Sequence, residues 1–116
     1  MNTTDLAQER LLQEIARRLV SVFAPRRILL YGSRATGTAG PDSDYDLLTV
    51  WRDENPPPAR AATVRCALLD LEPSIDIAVV TPSEYERFRT RQVHIVAIAD
   101  REGRVLHAAQ SLGSGD

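Results

Sequence analysis

The sequence feature that most constrains the fold is an apolar run of strand length, residues 27–31, that stops at a glycine. The next six residues, Gly-Ser-Arg-Ala-Thr-Gly, begin and end with glycine, and a small polar loop follows them. Asp44 and Asp46 then lead into a second apolar run that extends to Trp51. Short apolar runs bounded by glycine-containing turns are typical of buried strands. The chain must therefore place a strand, a tight turn, a loop and a second strand next to one another.

The two aspartates are the first indication of chemistry. Asp44 and Asp46 stand two residues apart at the start of a strand, where alternate side chains project to the same face. Two carboxylates held close together repel, so the pair would share a proton or bind a cation. Mg²⁺ prefers oxygen ligands, is commonly held by one or two carboxylates, and takes further ligands from substrate phosphates. We therefore expect Asp44 and Asp46 to be ligands of a divalent metal ion.

The glycine-containing turn before them predicts a phosphate-binding site. Gly32 has no Cβ, so its backbone can approach a ligand closely. Backbone N–H groups at a turn leading into a helix point towards an anion, and the helix dipole favours negative charge there. Ser33 adds a hydroxyl group. A phosphate-binding turn beside a two-carboxylate metal site is the arrangement used for nucleotidyl or phosphoryl transfer.

A third acid interrupts a later strand. Residues 75–80 are rich in β-branched side chains and predict a strand, and Asp76 lies at its second position. A carboxylate buried alone in such a strand is costly, so Asp76 must be exposed, paired or bound to metal. Taken alone, an exposed end position is the favoured reading. Beside a strand that carries Asp44 and Asp46, we expect Asp76 to be the third carboxylate of one site.

The rest of the pattern predicts helices and one further strand. An amphipathic helix is expected over residues 5–23, and a second apolar helical face over residues 61–71. Thr81-Pro82-Ser83-Glu84 has the form of a capping box and predicts a helix that continues through Val93 to Gly103. Residues 104–107 predict a short last strand. The predicted fold class is α/β, a small mixed sheet that carries the three acids on one face and has helices packed behind it.

Length and charge narrow the function classes. A chain of 116 residues predicts one domain, assigned to residues 1–109, with a frayed tail over residues 110–116. The net charge of −2 and the lack of a long basic run do not favour direct binding of a long nucleic acid. The arginine pairs at 17–18 and 26–27 are interpreted as solvated surface.

Cys66 is the only cysteine, which indicates a reducing, cytoplasmic setting. No apolar run approaches transmembrane length, so no membrane association is expected.

The segment 32–37 (Gly-Ser-Arg-Ala-Thr-Gly), followed after six residues by Asp44-Tyr45-Asp46-Leu47, resembles the signature of the DNA polymerase beta-like nucleotidyltransferase superfamily. The similarity is to its minimal nucleotidyltransferases, which are encoded beside a HEPN-domain partner and in many cases form toxin–antitoxin systems. Asp76 matches the third acid of the family pattern. Thr36 stands where many members carry arginine, a departure that affects an auxiliary phosphate contact but not the metal site. The resemblance extends from the first helix to about His107.

The resemblance implies a fold and an activity. The fold would be a polymerase beta-like nucleotidyltransferase core. Its activity would be transfer of AMP from ATP to an acceptor hydroxyl, here a tyrosine of a HEPN-type toxin that the chain neutralises as antitoxin. Asp44 and Asp46 would hold two Mg²⁺ ions, Asp76 would ligate one of them and activate the acceptor, and Gly32 and Ser33 would hold the terminal phosphates. A core without a second domain leaves an open cleft, so a partner or a second copy is expected to complete it.

Two other functions remain open from the sequence. The chain could be a non-catalytic antitoxin that masks its partner by contact, or a transferase for a small-molecule hydroxyl, as in the antibiotic-modifying relatives. The three acids favour an enzyme over a pure binding module. The lack of an acceptor-binding domain disfavours the small-molecule route.

Overall fold

The structure of the protein, a computed structural model, describes residues 3–91 and 94–109. Its helices are α1 (Thr3–Phe23), α2 (Ser33–Thr36), α3 (Pro57–Cys66), α4 (Pro82–Phe88) and α5 (Ile95–Glu102). Its strands are β1 (Arg27–Tyr31), β2 (Tyr45–Val50), β3 (Ile75–Val80) and β4 (Arg104–Ala108). The tail predicted for residues 110–116 lies outside the described residues.

The four strands form one mixed sheet in the order β3-β2-β1-β4. The first strand, β1, is antiparallel to both of its neighbours, whereas β2 and β3 are parallel. A parallel pair needs a crossover rather than a hairpin, and α3 supplies it. The mixed α/β architecture expected from the sequence is confirmed.

Alternation along the strands divides the sheet into two buried faces. One face packs against α1 and α3, and its core includes Ile15, Leu30 and Leu47, each with no exposed surface. On the other face, Leu29 and Leu48 pack with residues of α4 and α5. By the same alternation the side chains of residues 46 and 76 belong to the α4–α5 face, at the end where β2 and β3 begin. Helices thus lie behind the acids, as expected, and two more cover the remainder of the acid-bearing face.

The helix expected from Thr81 to Gly103 is two helices. The first, α4, ends at Phe88, and α5 begins at Ile95, where the His94 Nδ1 accepts a hydrogen bond from the Val96 N–H at 3.1 Å. The single continuous helix was therefore a wrong prediction, since the apolar spacing does not reveal a histidine acting as an internal N-cap. Gly103 ends α5, as expected. Val93 lies outside the described residues.

Within residues 3–91 and 94–109, no helix has the length and apolar character that crossing a membrane requires.

The helix expected over residues 61–71 is displaced towards the N-terminus and ends at Cys66. Pro57 stands in its first turn, where a missing N–H is tolerated.

A buried ion pair joins α3 to the start of α4. Arg60 is only 6% exposed, and its Nη1 donates to Glu84 Oε1 at 2.7 Å. Glu84 also accepts from the Thr81 N–H at 2.8 Å and completes the capping box predicted at this position. The hydrogen bond from Arg60 is the main cause that lowers the pKa of Glu84 to about 2.

We expect Glu84→Gln to lower the free energy of unfolding by about 2 kcal/mol at neutral pH, because Arg60 loses a charged hydrogen-bond partner. The amide oxygen of glutamine can keep the cap, so the change isolates the ion pair. A carboxylate with a depressed folded-state pKa contributes stability above its ordinary value of 4.5 and loses it as the pH falls to about 2. The difference between wild type and variant should therefore shrink over that interval.

Urea denaturation at several pH values measures this difference, with Glu86→Gln as the control. Glu86 lies on the same helix and forms an exposed pair with Arg89. A difference between wild type and Glu84→Gln that does not change with pH would contradict the assignment.

Candidate active site

The strand register brings two of the three predicted acids side by side. Asp46 of β2 pairs with Asp76 of β3 on one side and with Tyr31 of β1 on the other. Neighbouring strands of a sheet lie about 4.8 Å apart, so residues in register are close neighbours. Asp44 precedes β2 by one residue and shares the parity of Asp46 along the chain. The acids therefore gather at one end of the sheet, which we call the acid end (Asp44, Asp46 and Asp76).

The carboxylates at the acid end influence one another electrostatically. Burial is the main cause that raises the pKa of Asp46, and the charges of Asp76 and Asp44 raise it further. Burial and the charges of Asp46 and Asp76 likewise raise the pKa of Tyr31. Asp44 and Asp76 are exposed, whereas Asp46 is half-buried between them. The site thus has a sheltered carboxylate flanked by two open ones.

Gly32 lies directly against Asp46. Its φ of 75° and ψ of −160° fall in a region that is essentially restricted to glycine. A Cβ at this position would lie 2.5 Å from the Asp46 Oδ2, which is closer than such atoms approach. The glycine therefore allows the turn after β1 and the sheltered carboxylate to touch.

The turn after Gly32 is short. The Gly32 carbonyl accepts hydrogen bonds from the N–H groups of Ala35 and Thr36, at 3.0 and 3.2 Å, and closes a four-residue helix. A single turn has a small dipole, so backbone N–H groups rather than the expected helix dipole would provide anion binding here. Among the described residues, the Ser33 hydroxyl has no protein hydrogen-bond partner. The Thr36 hydroxyl is 3.0 Å from that of Thr38, on the exposed side of the turn.

Arg34 fixes the loop that leads to Asp44. Its Nη2 donates to the Ser43 carbonyl at 2.9 Å and to the Pro41 carbonyl at 3.3 Å. Its guanidinium also lies 4.3 Å from the centre of the Tyr45 ring. The sequence analysis did not identify Arg34, because bonds to backbone carbonyls leave no residue pattern. The sequence did contain one hint. Tyr45 lies between Asp44 and Asp46, so in a strand its ring faces away from the acids and is free to pack against another side chain.

Two further residues of the site were not identified from the sequence. Tyr31 ends β1 beside Asp46, and its place follows from the register. Arg65 of α3 lies across from Asp76, with 4.0 Å between its Nη2 and the Asp76 Oδ1. Both sides of this pair are largely exposed, so the ion pair contributes little to stability and leaves the arginine able to contact a ligand.

The donor set at the acid end suits a hard divalent cation. In the described parts of the chain, no three histidine, cysteine or acidic side chains are arranged to hold a metal ion by themselves. Mg²⁺ does not require that, because one or two carboxylates and substrate phosphates normally complete its ligands. The acid end provides such carboxylates, with Asp46 and Asp76 adjacent and Asp44 exposed beside them. The turn at Gly32 lies next to them, and its lack of a Cβ lets a phosphate come close to the backbone.

Comparison with known proteins gives a family and a fold. The profile of the nucleotidyltransferase domain matches residues 9–109. The crystal structure of a Sulfolobus solfataricus protein described as a nucleotidyltransferase is 22% identical, with 90% of this chain and 86% of that chain covered and a TM-score of 0.62. A structure described as a toxin–antitoxin with AMP-PNP is also 22% identical, with coverage of 84% and 74% and a TM-score of 0.52. No curated protein matches the chain.

Proposed function

The chain belongs to the nucleotidyltransferase domain family, and from that premise we propose that it transfers a nucleoside monophosphate from a nucleoside triphosphate to an acceptor hydroxyl. The observation that carries the proposal is the contact between Gly32 and Asp46, with Asp76 on the adjacent strand. This contact puts a backbone that can approach a phosphate beside carboxylates that can hold a cation. Nucleotidyl transfer requires both of these elements at one place.

Gly32 and Ser33 bind the terminal phosphates in this proposal. The backbone at Gly32 has no Cβ between it and a phosphate oxygen, and the Ser33 hydroxyl can donate a hydrogen bond. Arg34 holds the loop before Asp44 in place through the carbonyls of Ser43 and Pro41. Arg34 would thereby fix the position of Asp44 relative to the phosphate-binding turn.

Asp44, Asp46 and Asp76 would hold Mg²⁺, with two ions expected from the family. Bound there, the metal would supply neutralisation of the triphosphate and stabilisation of the attacking and leaving oxygens. The carboxylates alone would repel a triphosphate, because like charges repel. Burial, and after it the charges of Asp76 and Asp44, already raise the pKa of Asp46. A cation-free acid end is thus poorly suited to the substrate, which supports a requirement for metal.

In this proposal Asp76 receives the acceptor's proton. It is exposed, whereas Asp46 is sheltered against Gly32. The acceptor oxygen forms a bond to the α-phosphorus, its proton passes to Asp76, and the bond from the α-phosphorus to the bridging oxygen breaks. Pyrophosphate then leaves with the electron pair. Arg65, whose Nη2 lies 4.0 Å from the Asp76 Oδ1, would contact a phosphate or the acceptor in this proposal.

The proposed donor is ATP and the proposed acceptor is a tyrosine of a HEPN-type toxin in the cytoplasm, so that the chain acts as an antitoxin. The fold similarity to a structure described as a toxin–antitoxin with AMP-PNP supports an adenine nucleotide as donor and a role as antitoxin. The HEPN-type partner and the tyrosine acceptor come from the family resemblance. Asp44 and Asp76 are exposed at an open sheet end, which suits a macromolecular acceptor better than an enclosed small molecule.

Asp76→Asn should end modification of the acceptor while the partner still binds, since the change is nearly isosteric. The measurements are co-purification of the co-expressed partner and survival of cells that express both. Full protection by a variant that transfers nothing would leave masking by contact as the function. Glu72→Gln, which removes an exposed acid from the turn before β3, is the matched control and should protect like wild type.

A further inference from the structure

A cavity of about 290 Å³ lies at the end of the sheet opposite the acid end. Four arginines line it together with Ser83 and Tyr85, namely Arg26, Arg27, Arg52 and Arg89. In the register of β1 and β2, Arg27 pairs with Val50, whereas Tyr31 pairs with Asp46. Tyr31 is four positions after Arg27 along β1, or about 13 Å. The cavity is therefore distinct from the proposed active site.

The positive charge of this cavity is only partly balanced. Within the described residues, no acidic side chain lies within 4.0 Å of the guanidinium of Arg27 or Arg52. Arg89 forms an exposed pair with Glu86, the one acid among the lining residues, at 3.3 Å. Arg18 of α1, by contrast, has a close acidic partner in Asp70. In a chain with a net charge of −2, this concentration of arginine is a local exception.

The topology explains why the charges converge. Arg26 and Arg27 stand at the start of β1, and Arg52 follows the antiparallel strand β2. The first turn of α4, which follows the parallel strand β3, adds Ser83 to the same edge. Residues from three separate segments thus meet because one end of the sheet collects them.

Contacts with a buried tyrosine hold one side of the cavity in place. The Arg27 guanidinium lies 5.6 Å from the centre of the Tyr85 ring, which is buried. The Tyr85 hydroxyl donates to Asp100, and burial, with a smaller contribution from Asp100, raises the pKa of Tyr85 to about 12. The phenol therefore stays neutral, and its ring gives Arg27 a fixed support.

We propose that this arginine cavity (Arg26, Arg27, Arg52, Ser83 and Arg89) binds a phosphate group carried by a ligand. Guanidinium groups match phosphate oxygens with paired, charge-assisted hydrogen bonds, and a serine hydroxyl can add another. The volume is close to the lower limit of small-molecule pockets, so it accommodates a phosphate and the group attached to it. The phosphate can belong to a small phosphorylated molecule or to one unit of a single-stranded nucleic acid.

An adjacent groove extends the site towards aromatic residues. It shares Arg26 and Arg52 with the arginine cavity and is lined by Phe23 and Trp51. Trp51 packs edge-on against Phe23, with 4.8 Å between the ring centres. Because Trp51 is the only tryptophan of the chain, its fluorescence reports binding at this end of the sheet.

The test uses the full chain in EDTA, which removes cations from the acid end. Calorimetry and Trp51 fluorescence follow titration with inorganic pyrophosphate and, separately, with a short single-stranded oligonucleotide bearing a 5′-hydroxyl. We expect saturable binding of one of these probes with a change in fluorescence. Binding of pyrophosphate alone identifies a small phosphorylated ligand, and tighter binding of the oligonucleotide identifies a nucleic acid.

Arg52→Gln should weaken that binding about 10-fold or more, because a charged hydrogen bond is lost. Arg10→Gln, an exposed arginine of α1, makes the same change in net charge and should leave affinity within about 2-fold. Arg89→Gln provides a second variant, and thermal melts confirm folding of each. Absence of saturable binding by both probes, or equal weakening by Arg10→Gln, would overturn the proposal.

Discussion

Asp46→Asn is expected to reduce nucleotidyl transfer by roughly 10³-fold, the upper range for loss of one group that stabilises transition-state charge. Asp46 is the sheltered carboxylate of the acid end, between Asp76 on the next strand and the Gly32 turn. Asparagine keeps the shape of the side chain but removes its charge, so both metal affinity and the alignment of the phosphates should suffer. Transfer from ATP in the presence of Mg²⁺ measures the effect.

The same variant should be no less stable than wild type in EDTA. The raised pKa of Asp46 means that its ionisation opposes folding at pH values above that pKa. Removing the charge should therefore raise the melting temperature at neutral pH, and the gain should vanish in acid, where the wild-type carboxyl is protonated. Asp42→Asn, an exposed acid in the loop before Asp44, is the control and should change neither property. Unaltered transfer by folded Asp46→Asn would remove this residue from the mechanism.

Gly32→Ala is expected to reduce transfer by roughly 10²-fold, the cost of displacing a catalytic group by about 1 Å. The alanine Cβ would meet the Asp46 Oδ2 at 2.5 Å, so the carboxylate or the turn must move. The backbone region at Gly32 also disfavours any side chain, which should cost about 1–3 kcal/mol of stability. Kinetics and urea denaturation measure the two effects separately.

The variant Gly37→Ala separates the effect of backbone strain in the turn from the effect of displacing the Asp46 carboxylate. Gly37 also has a positive φ, 81°, but a Cβ there would meet no atom within 4 Å. We therefore expect this control to lose about 1 kcal/mol of stability while transfer changes little. Equal loss of transfer in both variants would show that backbone strain in the turn, and not the contact with Asp46, explains the effect of Gly32→Ala.

The sequence was sufficient for two strands that build the site. Arg27–Tyr31 and Ile75–Val80 were predicted with their observed bounds, because short apolar runs between turn residues allow few alternatives. The adjacency of Asp46 and Asp76 was also expected, although it depends on β2 and β3 being neighbours in parallel register. The family pattern, rather than spacing alone, made that expectation specific.

The remaining features depend on contacts between distant segments. Arg34 binds backbone carbonyls, and Arg65 approaches Asp76 from another element, so neither leaves a local pattern. The break before Ile95 depends on the side chain of His94 as a cap, which apolar periodicity does not register. Arg26 and Arg27 were interpreted as solvated surface, whereas the sheet brings them together with Arg52 around one cavity.

The central claim is that the chain transfers a nucleoside monophosphate, and labelled ATP tests it most directly. The protein and its co-expressed partner are incubated with Mg²⁺ and with ATP labelled either at the α-phosphate or at the γ-phosphate. We predict that the α-label becomes covalently attached to the partner, that the γ-label appears in pyrophosphate, and that EDTA stops both. Attachment of the γ-label would indicate phosphoryl transfer instead, and attachment of neither label would contradict the account.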